Sequence, residues 1–152
     1  FMNPWDGYYF RRGTDKITEN GQTHEVKREG ATLEKDEVSR ITTKSLKECN
    51  FVVSVNKADG KKVTCNLKLT FDDNGNCIVT SDTEGMTASG SGKFVEKGAK
   101  LAWGNKDRDI LTLNYKVDFG SGIVLETSDQ FVAETRGNTN GVVQFSPQYI
   151  KK

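Results

Sequence analysis

The sequence predicts an all-β domain, an antiparallel up-and-down barrel of about eight strands, and three observations predict it. Alternating runs of apolar and polar residues recur along the 152-residue chain. The clearest sets Leu111, Leu113, Tyr115, Val117 and Phe119 on one face and Thr112, Asn114, Lys116 and Asp118 on the other. Fifteen glycines and only two prolines punctuate such runs at turn positions. No segment carries a convincing helical apolar period. Eight strands are the base case for a small closed barrel whose interior is filled by side chains.

Composition narrows the function classes. Twenty-two basic and 21 acidic residues leave a formal net charge of +1, so no long-range field draws in nucleic acid or an anionic membrane. Mean hydropathy is −0.63, and no apolar stretch approaches the ~20 residues of a membrane helix, so no transmembrane segment is expected. A single His and three Cys leave the chain poor in the groups that most often do nucleophilic, acid–base or zinc chemistry. The reading is therefore of a protein that is not an enzyme, with no cofactor and no metal. The length favours one domain, with residues 1–4 as linker and residues 5–150 as the barrel.

The elements follow in order. Asn3-Pro4 and Asp6-Gly7 introduce a first strand from Trp5 to Arg12, with Tyr8 and Phe10 on the inward face, Tyr9 exposed, and Gly13 as its end or bend. From Asp15 to Lys35 the chain is polar, with Asn20-Gly21 as a hairpin turn between two weak strands and Glu25 to Glu29 as a candidate helical turn. Val38 to Leu46 reads as a strand with a bulge, or one crossing the rim. Phe51, Val53 and Val55 then share a face, Ala58-Asp59-Gly60 turns, and Val63, Cys65, Leu67, Leu69 and Phe71 return. Asp72 to Asn76 turns again into Cys77 to Ser81.

A broken, glycine-rich passage from Met86 leads to Phe94 and Val95, a turn at Lys97-Gly98 and a short irregular stretch. The Asp109 to Phe119 strand follows, and Gly120-Ser121-Gly122 closes a hairpin onto Ile123 to Glu134, with Ile123, Leu125, Phe131 and Ala133 inward. Val142 to Tyr149 is a candidate terminal strand. These turns set Cys49 opposite Leu69 and Cys77 opposite Phe71, on strands either side of a central one. Two strand spacings, ~9.6 Å, exceed the reach of a disulfide, so three free buried thiols are expected.

Ala88-Ser89-Gly90-Ser91-Gly92-Lys93-Phe94, then Trp103 to Asp109 running into Leu111-Thr112-Leu113-Asn114-Tyr115, carry a resemblance, firmest from Phe71 to Gly137. The chain resembles the calycin-like (lipocalin-like) C-terminal domains of uncharacterised Bacteroidetes surface lipoproteins from polysaccharide-utilisation loci. Asp6-Gly7-Tyr8-Tyr9 is similar to that family's first strand. The resemblance implies an antiparallel barrel, export to the cell surface, an upstream domain in the same protein and a part in capturing polysaccharide or oligosaccharide. It carries no catalytic motif.

Candidate binding residues each have a plainer reading. Trp103, between Lys100 and Lys106, is either a platform on which a sugar ring stacks or a plug for one end of the barrel. Trp5 poses the same choice, and Tyr9 is the exposed aromatic if Tyr8 and Phe10 face inward. Asp107 and Arg108 have the planar groups that pair with sugar hydroxyls, or they pair with neighbouring charges in a solvated turn. Asp107 with Asp109, or Glu126 with Asp129, has the composition of a glycosidase pair, but acidic residues are common on exposed strand faces. Asp72 to Asn76 gathers oxygen ligands without a full calcium-loop spacing, and fits a plain turn. His24 reads as a surface residue, and Gly90-Ser91-Gly92 as a bend in a strand. Two function classes follow: a glycan-binding or scaffold module, and a calycin-type carrier of a small apolar ligand. The inward aromatics Phe51, Phe71, Phe94, Tyr115 and Phe131 predict a filled interior.

Overall fold

A computed structural model of the chain describes residues 1–102 and 104–136, and among them the only helix is one 3-10 turn at Leu33–Lys35. The nine strands are β1 (Gly7–Glu19), β2 (Gln22–Arg28), β3 (Glu37–Thr43), β4 (Glu48–Asn56), β5 (Lys62–Phe71), β6 (Asn76–Ser81), β7 (Thr87–Ala102), β8 (Lys106–Gly120) and β9 (Ile123–Arg136). They form one antiparallel meander in the order β2-β1-β3-β4-β5-β6-β7-β8-β9, and β1 also pairs with β9. That last pairing closes an eight-stranded barrel of β1 and β3 to β9. Strand β2 is the exception. It folds back on the second half of β1, while β3 takes the same edge of the first half.

The hairpin turns sit where turn chemistry puts them, including Asn20-Gly21, where both residues have positive φ. Cys49 pairs with Leu69 and Cys77 with Phe71, and all three thiols are free and buried. The interior is filled by one continuous core that includes Phe51, Phe71, Tyr115 and Phe131, with Phe94 packed against it.

Several elements differ from the sequence reading. Gly13 does not end β1, which runs on to Glu19. A Cβ at Gly13 would lie 2.1 Å from the Ser128 carbonyl oxygen, so the residue is needed for close approach of β9. Residues 25 to 28 are strand, with no helical turn. The Lys97-Gly98 turn and the irregular stretch after it lie within β7, which continues to Ala102 through two shifts of register against β8. Gly90 and Gly92 serve contact: a Cβ on either would fall within 2.6 Å of β8 atoms, including Tyr115 Cβ and Leu113 Cδ2. The inward bulk of β8 requires their absence of side chain. The candidate strand Val142 to Tyr149 falls outside the described residues.

The largest correction concerns β1. Tyr9, not Tyr8, belongs to the core and is 2% exposed, while Tyr8 stands on the outer face under the Arg40 guanidinium. Phe10 is buried but is not part of the core cluster, as its alternation with Tyr9 requires. The inward set of β1 is Tyr9, Arg11, Asp15 and Ile17, all buried. Two charged residues at inward positions make the face look like a solvent face in sequence.

Candidate functional site

Arg11 and Asp15 enter the barrel because partners converge on them from four other strands, β2, β4, β8 and β9. Arg11 donates from Nε and Nη2 to Asp129 Oδ2 at 3.2 and 2.9 Å, and its guanidinium lies 5.0 Å from the Phe51 ring centroid. The Tyr115 hydroxyl donates to the same Asp129 oxygen at 2.6 Å. From the end of β2, Arg28 donates to both oxygens of Asp15 at 2.8 Å and to Asp129 Oδ1 at 2.6 Å. Thr127 donates to Asp15 Oδ1 at 2.6 Å. Buried Arg11, half-buried Arg28 and two buried anions therefore compensate one another, which is the condition for holding charges out of water.

The electrostatics of this cluster are those of a brace. Burial pushes the Asp15 carboxyl up, but hydrogen bonds from Arg28 and Thr127 outweigh it and leave the pKa below the ordinary value. Burial, reinforced by the neighbouring Asp129 charge, holds the Tyr115 phenol well above its usual range. Desolvation pushes the Cys49 and Cys77 thiols up to about 12, so neither is an available thiolate. Among the described residues no group of three or more His, Cys, Asp or Glu is arranged to hold a metal ion.

The sequence-predicted site residues do not assemble into one site. Trp5 stacks on Phe71 with centroids 4.4 Å apart and packs against the core at one end of the barrel. Tyr9 donates its hydroxyl to the Trp5 carbonyl oxygen at 2.6 Å, so both aromatics are committed to closing that end. Tyr9 is accordingly not the exposed platform expected from the sequence. Asp107 is exposed at the β7–β8 turn and accepts from the Leu101 N–H at 3.0 Å and the Lys100 ammonium at 3.5 Å. Arg108 donates to the Ala133 and Glu134 carbonyl oxygens at 3.1 and 2.9 Å. Trp103 lies outside the described residues.

The two imagined acid pairs also separate. Asp109 is buried and accepts from the Lys97 N–H, whereas Asp107 is exposed. Glu126 points to solvent while Asp129, 2% exposed, points into the barrel. In the Asp72 to Asn76 turn, Asp72 accepts from the Asn74 and Asn76 N–H groups and the Asn76 amide, the donor pattern of a turn. His24 is exposed on β2.

What the sequence reading missed is a shallow trough on the outer wall. Two adjoining hollows of about 470 and 300 Å³ lie over β1, β8 and β9 and share Thr14, Asn114 and Ser128 as floor. Register aligns these side chains across the strands: Ser91 beside Asn114, Asn114 beside Ser128, and Ser128 beside Thr14. Ser128 donates to Asn114 Oδ1 at 2.7 Å, leaving the Asn114 amide N–H groups for other acceptors. On one side the row continues as Lys116, Glu126, Lys16 and Glu25, which alternate in sign. The trough thus offers hydroxyl and amide groups bordered by balanced charge. Its signal was present in the wet wall of β8, but only the barrel brings β1 and β9 alongside.

The chain has known relatives. Its residues 4–137 match the family described as Domain of unknown function (DUF5627). It is similar to a crystal structure of a structural-genomics protein of unknown function from Bacteroides ovatus, at 37% identity and a TM-score of 0.86. That match covers 91% of this chain but 44% of the other, so the chain spans less than half the length of that relative. No curated protein matches it. With most of its length inside the family match, the chain belongs to the DUF5627 family.

Proposed function

We propose that this chain is a non-catalytic module that binds neutral polysaccharide or oligosaccharide in its outer trough, as one domain of an exported cell-surface lipoprotein engaged in polysaccharide capture. The observation that carries the reading is the aligned row of Asn114, Ser128 and Thr14, whose uncharged hydroxyl and amide groups match the donors and acceptors of a sugar chain. The balanced charges beside it favour a neutral ligand over a polyanion. Binding by such groups alone, each worth about 0.5–1.5 kcal/mol net, is weak for one sugar and accumulates along a polymer.

Other parts of the proposal rest on other support. The filled interior favours surface binding over the alternative of a calycin-type carrier, since the aromatic side chains and the Arg11 cluster occupy the place of an apolar ligand. The braced carboxylates and protonated thiols favour binding over catalysis. Surface export and an upstream domain rest on the sequence resemblance. The greater length of the Bacteroides ovatus relative is consistent with a domain of a larger protein. No helix among the described residues is long and apolar enough to cross a membrane.

The test is an amide-resolved NMR titration with soluble neutral polysaccharides, namely a β-glucan, a xylan, a mannan and a xyloglucan. At least one is expected to shift Thr14, Asn114 and Ser128, and Asn114→Ala with Ser128→Ala is expected to remove the shifts. Release of reducing sugar from any of them would show an enzyme and overturn the reading, as would the absence of any shift in the trough.

A further inference from the structure

We propose that the seam between β3 and β4 takes an extended segment of another polypeptide as an added strand. The barrel is closed by long ladders everywhere except here. Strand β4 pairs with β5 from Glu48↔Thr70 to Asn56↔Lys62, but with β3 only through Thr42↔Asn50 and Thr43↔Cys49. No other pairing joins β2 or β3 to β4 among the described residues.

The direction of the backbone groups follows from bonds at the closed end. Lys44 N–H donates to the Glu48 carbonyl oxygen at 2.8 Å, so Glu48 faces β3, and with a period of two so do Val52 and Ser54. Thr43 N–H instead donates to Asp6 on the β1 side, which turns Thr42, Arg40 and Val38 toward β4. Both rims of the seam therefore present backbone N–H and C=O groups that the ladder leaves without a strand partner.

A groove of about 450 Å³ lies at this place, with Arg40 and Thr42 on one rim, Asn50 and Val52 on the other and buried Phe51 and Ser39 behind. Val52 is 57% exposed in it. The groove is bounded at one end by the Thr42–Asn50 ladder. At the far end of the seam, Glu19, the last residue of β1, accepts from the Ala58 N–H at 2.9 Å and ties the end of β1 to the β4–β5 turn. An opening bounded at both ends between walls of the same barrel suits a single chain better than a second barrel.

The occupant's chemistry follows from the rim. Alternate N–H and C=O groups along β4 are satisfied by another extended backbone, the mode of strand addition to an exposed edge. The residue set beside Val52 is apolar or β-branched, because cross-strand partners on one face pack together. This inference is independent of the trough, which lies on β1, β8 and β9.

The test uses the whole chain and an eight-residue probe peptide of alternating Thr and Val flanked by Lys. Binding is read by hydrogen exchange at the Val52 and Ser54 amides. Protection at both is expected, together with about tenfold weaker binding of the same peptide N-methylated at alternate residues, which removes backbone donors but keeps the side chains. Val52→Pro is expected to abolish protection at Ser54 while circular dichroism stays unchanged, since the Val52 N–H makes no bond to β5. Should that variant fail to fold, the N-methylated peptide still decides. The proposal is overturned by peptide binding indifferent to N-methylation, or by no protection at millimolar peptide. It is equally overturned by slow exchange of these amides in the free protein: if concentration-dependent, a second copy fills the seam; if not, the chain itself does.

Discussion

The two halves of the barrel interior are held by different physics. On β4, β5 and β6 the inward residues are Cys49, Phe51, Val53, Val55, Cys65, Leu67, Leu69, Phe71, Cys77 and Val79, an apolar wall whose cohesion is non-directional. On β1, β8 and β9 the apolar core continues through Tyr9, Leu111, Leu113, Leu125 and Phe131, but there it also holds Arg11, Asp15, Tyr115, Thr127 and Asp129, joined by hydrogen bonds that specify partner and angle. The apolar half supplies cohesion. The charged half fixes the register of β1 on β9 and, through Arg28, the position of β2.

The first way to break this contrast is Asp129→Ala, which leaves buried Arg11 with only the exposed Glu37 carboxylate 3.6 Å away and takes from Arg28 one of its two carboxylates, Asp15 remaining. It is expected to lower stability by about 3–5 kcal/mol in urea unfolding, and to free the β2 amides to exchange. Leu67→Ala in the apolar wall is expected to cost about 2–5 kcal/mol while β2 exchange stays slow relative to global unfolding. Similar losses with different exchange patterns separate a brace from a filler.

A smaller effect comes from pH. The Asp15 pKa is lowered on folding, so its stabilisation is complete above the ordinary carboxylate value of about 4 and is lost as pH falls through the lowered folded-state value. Urea midpoints measured from neutral pH downward are expected to fall more steeply for the native chain than for Asp15→Asn. In the apolar wall, Cys49 and Cys77 are expected to react with a thiol reagent only as fast as the protein opens, because burial holds both near 12. The smallest effect is outside: Asn114→Ala is expected to change stability by no more than about 0.5 kcal/mol, leaving it free to report on binding alone.

The same contrast explains what was legible in the sequence. The apolar half reads directly, because its alternation is unbroken from Phe51 to Phe71, and the pairing of Cys49 with Leu69 follows from the turns. The charged half does not. Arg11 and Asp15 look like solvent residues, so the aromatic Tyr8 and Phe10 attract the inward assignment and every side chain at the start of β1 is placed on the wrong face. Asp129 shares the inward parity of Leu125 and Phe131, yet its charge reads as that of a solvent residue. Buried charges become readable only with their partners, and here these come from residues more than a hundred positions apart, such as Arg11 and Asp129. The trough is hidden similarly, since Thr14 becomes a neighbour of Ser128 only when the barrel closes.

The central claim is that the interior is occupied and serves stability, which leaves recognition to the outer surface. A titration of the folded chain with the lipophilic fluorophore 1-anilinonaphthalene-8-sulfonate tests it most directly. The account predicts no saturable emission increase. Stoichiometric binding that Phe51→Ala alters without unfolding the protein would contradict it and restore a ligand cavity to the centre of the barrel.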